Sequence, residues 1–85
     1  MTRRQRDREV SDTAAAARRF IRATGRRIAY KDPDSLPLLV ELATGVDEAL
    51  TFAVRQLHDQ HGYSWARIAQ CLGTSRQAAQ QRFGQ

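Results

Sequence analysis

The chain has 85 residues, 41% of them hydrophobic, which is enough for one modest core and too little for an enzyme built around a deep interior cleft. Fourteen Lys and Arg against nine Asp and Glu give a formal charge of +5, and the single cysteine, Cys71, excludes an intramolecular disulfide. No apolar run approaches the roughly 20 residues that span a bilayer, and the charged start "MTRRQRDREV" is not a secretory signal, so a cytoplasmic protein without a membrane role is expected.

The sign of the charge changes along the chain. Residues 1 to 31 hold ten basic and three acidic side chains, residues 32 to 62 one basic and six acidic, and residues 63 to 85 three arginines with no acid. A solvated surface normally mixes signs, so an acid-free stretch of this length suits a polyanion.

Residues 1 to 10, with Arg3, Arg4, Arg6 and Arg8 and almost nothing apolar, are expected to form a disordered basic arm. Residues 11 to 85 then form one helical domain, with 11 to 62 as support and 63 to 84 as a helix-turn-helix. Ser11 or Asp12 is placed to cap a first helix through "TAAAARRFIRAT", with Ala17, Phe20, Ile21 and Thr24 near one face and Gly25 as its stop. "RRIAYKDPDSLP" reads as a connector, rich in turn and cap residues and pinned to the core by Ile28 and Tyr30.

From Leu36 to His61, apolar residues from Leu39 to Leu57 recur at steps of three and four, the pattern of an amphipathic helix. Pro37 fits only its first turn, Gly45 is a point of possible breakage, and Gly62 is the stop. Leu39, Val46 and Ala53 recur every seven residues, more apolar stripe than one small core covers, which points to a homodimer. The same acidic stretch, residues 36 to 61, is the surface for a protein partner in the alternative reading, an interaction module that binds polymerase or another regulator.

"GYSWARIAQCLGTSRQAAQQRFG", residues 62 to 84, carries the densest signal. Ser64 caps a helix that buries Trp65, Ile68, Ala69 and Leu72, with Tyr63 stapled to Ile68; Gly73 turns the chain, and Ser75 caps a second helix whose Ala78, Ala79 and Phe83 pack inward. An alanine four residues before the turn glycine is the spacing of a helix-turn-helix, where small residues let the crossing helix approach. The segment resembles the helix-turn-helix of small actinobacterial DNA-binding proteins, and is similar to that of sigma-factor region four. Thr74 and Ala79 stand where the wider group often has bulkier apolar residues.

The resemblance implies an all-α fold of four or five helices and a sequence-specific DNA-binding protein, a transcriptional regulator or a mobile-element control protein acting on double-stranded DNA. On chemical grounds Arg76 pairs with guanine and Gln77, Gln80 and Gln81 with adenine in the major groove, while Ser75 and the free amides beside it hold a phosphate. Thr74, Arg67 and Arg82 complete the candidate set on this segment, and Arg3 and Arg4 of the arm are candidates for phosphate or minor-groove contact.

"HDQH" puts His58 and His61 on one side of a helix, but no third ligand accompanies them, so neither a metal nor a cofactor is expected. His61 is expected beside the unpaired carbonyls of a helix end and His58 in solvent. No phosphate loop, activated nucleophile or paired carboxylates point to catalysis, and the chain reads as a non-enzyme.

Overall fold

A computed structural model describes residues 2 to 84, and among them the chain is all-α. Helix α1 runs Arg3–Ala29, a 3-10 turn covers Pro33–Ser35, and α2 runs Leu36–Arg55 into a π-helical turn, Gln56–Gln60. Helices α3 (Trp65–Leu72) and α4 (Arg76–Phe83) follow. The chain divides within α2 into two compact units, the first ending at Ala43 and the second beginning at Thr44. The second half of α2 therefore belongs with the helix-turn-helix, whereas the sequence reading counts it with the support.

The first unit corrects the reading of the basic arm. Helix α1 begins at Arg3, not near Ser11, because Thr2 and Gln5 close a capping box: the Gln5 amide donates to Thr2 Oγ1 at 3.2 Å and the Thr2 amide to Gln5 Oε1 at 2.9 Å. Arg and Gln are good helix formers, so a charged sequence once nucleated continues. Gly25 does not stop the helix, which ends four residues later with Arg26 and Arg27 in its last turn, where cations suit the carbonyl end. Ile28 is buried as expected, but Tyr30 is 80% exposed and pins nothing, and Phe20 also points to solvent. The chain reverses at Lys31, a non-glycine residue at φ 66°, and the Asp32 amide bonds the Ile28 carbonyl at 3.0 Å. Gly25, Ile28, Pro33, Leu36 and Leu39 line the crease so formed.

Helix α2 starts with Pro37 in its first turn, where its missing N–H leaves no bond unmade, and it passes Gly45 without a break. In the second unit Val54, Ile68 and Phe83, one from each of α2, α3 and α4, form the buried cluster, with Leu50 and Trp65 packed against it. Ala69 and Ala79 are almost fully buried, and their small side chains let α3 and α4 come close. Leu72, expected in this core, is 38% exposed.

Two helix stops of this unit are glycines in the left-handed region, Gly62 at φ 71° and Gly73 at φ 70°. At Gly73 the Thr74 amide reaches back to the Ala69 carbonyl at 3.0 Å, the six-to-one bond of a Schellman turn. Gly73→Ala is therefore expected to lower stability by about 1 to 2 kcal/mol, since a Cβ is strained there even in open space. Gly45→Ala, in a helix interior with nothing within 4 Å of the added Cβ, is expected to raise it by about 0.5 to 1 kcal/mol. Urea unfolding followed by circular dichroism measures both, and equal effects would contradict the two backbone assignments.

Candidate nucleic-acid interface

The α3–turn–α4 segment is set by two serine caps and one glycine. Ser64 Oγ accepts the Arg67 amide at 3.1 Å and Ser75 Oγ accepts the Ala78 amide at 3.1 Å, so each short helix starts with an orphan donor satisfied. Beneath α4, Ala79 and Phe83 are buried to 1% and 2% exposure. Everything else on that helix faces outward: Arg76, Gln77, Ala78, Gln80, Gln81 and Arg82 are exposed, as are Thr74 and Ser75 before it. Ala78 is a correction, since the sequence reading packs it inward. It stands on the outward side beside Gln77, where it offers a methyl group between amides.

The outward residues differ in how they are engaged. Thr74, Gln77 and Gln81 lie along the side opposite Ala79 and Phe83, with Arg76 and Gln80 on one flank. Arg82 is on the other flank and is occupied: its Nη2 pairs with Asp47 Oδ1 at 2.7 Å, and its guanidinium lies 4.8 Å from the Phe83 ring centroid. Both partners of the ion pair are more than half exposed, so it contributes at most a few tenths of a kcal/mol and is open to competition by a stronger anion. Arg55 secures the same end of α4 through Nε, which donates to the Phe83 carbonyl at 3.4 Å. A cation at the carbonyl end of a helix also suits its dipole.

Arg67 does not join this face. Its Nη1 lies 2.9 Å from Cys71 Sγ, and the two residues line an apolar groove with Leu50, Ala53 and Leu57 of the α2 side. Tyr63 lines that groove with Ile68 and remains 47% exposed, so the staple expected there is a loose one. Arg3 and Arg4 open α1 in the first unit.

His58, expected in solvent, is a further correction. It is half-buried, stacked on Trp65 with ring centroids 4.1 Å apart and planes at 25°, and its Nδ1 is 2.8 Å from the Tyr63 carbonyl. The π-helical turn carries it into the entrance of α3, where it buttresses the only tryptophan. A histidine seven residues before a tryptophan with a glycine stop between them is the only sequence trace of this contact. His61 terminates the turn, and among the described residues no set of three His, Cys, Asp or Glu converges as a metal site.

Geometrically, α4 offers a narrow polar ridge with cationic flanks and no acid between residues 63 and 84. A ridge of two amides, a guanidinium, a hydroxyl and a methyl fits a groove that presents mixed donors, acceptors and thymine methyls. No family model matches the chain, and no curated protein or solved structure matches it.

His58→Ala is expected to cost about 1 to 2 kcal/mol of stability, through loss of the stacked ring and of the bond to the Tyr63 carbonyl. It is also expected to shift Trp65 emission to the red. Unfolding followed by that emission checks both, and an unchanged spectrum would show that the two rings do not stack in solution.

Proposed function

We propose that the chain is a sequence-specific DNA-binding protein that lays α4 in the major groove of double-stranded DNA and acts by occupying its site, as a transcriptional regulator or a mobile-element control protein of the cytoplasm. The observation that carries this reading is the division of α4: Ala79 and Phe83 are buried while Thr74, Arg76, Gln77, Ala78, Gln80 and Gln81 are all exposed on a segment without an acid. The resemblance of residues 62 to 84 to the helix-turn-helix of small actinobacterial DNA-binding proteins and of sigma-factor region four supports it. No helix among the described residues is long and apolar enough to cross a membrane.

In this reading Arg76 donates both guanidinium arms to a guanine, and Gln77 and Gln81 each take an adenine or hold a phosphate according to register. Ala78 meets a thymine methyl. The first free amides of α4, beside the Ser75 cap, point at a backbone phosphate with the positive end of the helix dipole behind them. Arg82 exchanges Asp47 for phosphate at a small cost, because its present partner is solvated. The nine arginines of α1 supply a sequence-independent attraction whose strength falls as salt rises.

Selection of bound sequences from random duplex DNA at two salt concentrations tests the reading, which fails if no sequence is enriched. Against a selected site, Arg76→Ala and Gln77→Ala are each expected to lose roughly 1 to 3 kcal/mol of binding with unchanged melting, because neither side chain supports the core. Asp47→Ala is expected to leave specific binding equal or slightly tighter. Removal of residues 2 to 8 is expected to weaken binding to all sequences alike and to flatten the salt dependence. Fluorescence anisotropy with labelled duplex measures each, and wild-type affinity in both the Arg76 and Gln77 variants would remove α4 from the interface.

A further inference from the structure

The arginines of α1 are not spread evenly around it. At about 100° per residue, Arg4, Arg8, Arg18, Arg19, Arg22 and Arg26 fall within one sector of about 100°, with only Ser11, Ala15 and Ala29 between them. Arg3, Arg6 and Arg27 lie elsewhere on the helix. No acid enters the stripe: Asp7 and Asp12 border it, Glu9 lies farther round, and residues 13 to 29 hold no acid at all. The buried Ile28 and half-buried Ile21 lie outside it, so the side that packs and the side that carries charge are separate.

The stripe is uncompensated. All six arginines are exposed, and none has an ion-pair or hydrogen-bond partner among the described residues. Arg4 with Arg8, Arg18 with Arg22 and Arg22 with Arg26 stand four apart, the spacing at which like charges weaken a helix. A polyanion laid along the stripe removes that repulsion.

The make-up of the stripe decides among polyanions. An acidic protein surface pairs through an apolar centre, and the stripe offers nothing larger than alanine there. A membrane surface takes up the apolar side of a helix, and the exposed Val10 and Phe20 lie off the stripe, so their insertion turns the arginines away from the head groups. Single strands are held by aromatic rings on which bases stack, and the stripe has none. A duplex backbone needs only charge, donors and a close approach, and the arginine fork matches a phosphate. From Arg4 to Arg26 the stripe is about 33 Å long, close to the roughly 34 Å of one duplex turn.

We propose that this stripe of α1 is a second duplex-DNA surface, blind to sequence and separate from α4, on which Arg18, Arg19, Arg22 and Arg26 grip backbone phosphates while Arg4 and Arg8 lengthen the hold. It rests on the DNA reading for its class of ligand and on nothing in α4. Of the two arm residues singled out by the sequence, Arg4 belongs to it and Arg3 does not. The stripe holds the chain to any duplex, and the ridge of α4 selects among the sequences within reach.

Two variants of the full chain with equal loss of charge separate a built stripe from a diffuse attraction. One is Arg18→Gln with Arg22→Gln and Arg26→Gln; the other is Arg3→Gln with Arg6→Gln and Arg27→Gln. Glutamine keeps the helix propensity and every substituted side chain is exposed, so both are expected to keep the circular dichroism and melting of the parent. Fluorescence anisotropy with a labelled random-sequence duplex reads the outcome. The stripe variant is expected to bind at least about tenfold more weakly, with a slope of log K against log salt shallower by about 2 to 3, and the second variant to stay within about threefold and about one unit of slope. Equal losses in the two variants overturn the proposal, as does parental binding by the stripe variant. Tighter binding of the parent to single-stranded DNA, duplex RNA or phosphatidylserine vesicles than to duplex DNA overturns it as well. The α4 reading fails separately: the stripe variant is expected to keep the parental ratio of selected to random affinity, which Arg76→Ala lowers. A chain that enriches no sequence yet loses random-duplex binding through the stripe alone removes the α4 reading and leaves the stripe.

Discussion

The contact of Phe83 with Val54 and Ile68 is the constraint on which the recognition segment depends. Each of the three side chains comes from a different helix, and each is nearly lost to solvent, so together they fix the crossing of α4 over α2 and α3. Phe83 lies at the last turn of a helix of only eight residues, which has too few internal hydrogen bonds to persist alone. Burial of one aromatic ring, worth about 1.5 to 3 kcal/mol, therefore decides whether α4 exists as a helix at all. Arg55 and Asp47 add polar ties to the same end, so the carbonyl end of α4 is held from α2 while its amide end is left open.

That asymmetry suits a helix that meets its target with its first turn. The unbonded amides, the dipole and the exposed Thr74, Arg76 and Gln77 all lie at the end that is held only by the Gly73 turn, the Ser75 cap and the close approach of Ala79, and the ties to α2 lie at the other. A rigid base behind an open tip costs little ordering on contact with a partner, because the side chains that must be fixed are few and the backbone is already in place.

Much of this segment was legible because its signals are local. Ser64, Gly73 and Ser75 each specify a cap or a turn within a few residues, and the structure has all three where the sequence puts them. The amphipathic stretch from Leu36 was legible for the same reason. Two contacts escape because their residues are far apart in sequence, Asp47 with Arg82 and Arg55 with the Phe83 carbonyl, and a third, His58 stacked on Trp65, because a π-helical turn breaks the period between them. The start of α1 is a different case, because its signal was present. Thr2 and Gln5 spell a capping box, but a run of arginines that buries nothing has the composition of a chain without structure, and composition masks so local a signal. Ala78 is a case in which the signal is also present: Ala79 stands four residues before Phe83 and shares its face, whereas Ala78, five before it, does not.

The segregation of roles on α4 bears on how such a chain changes over generations. Ala79 and Phe83 answer to the core, and Gln77, Ala78 and Gln81 take no part in it, so substitutions of those three by other good helix formers meet little penalty from folding. The side chains of the ridge are then free to drift one position at a time while the scaffold stays under selection. Chains of common descent would diverge most along the ridge and least at the two residues beneath it, so the polar identities on α4 would be younger than the fold that carries them.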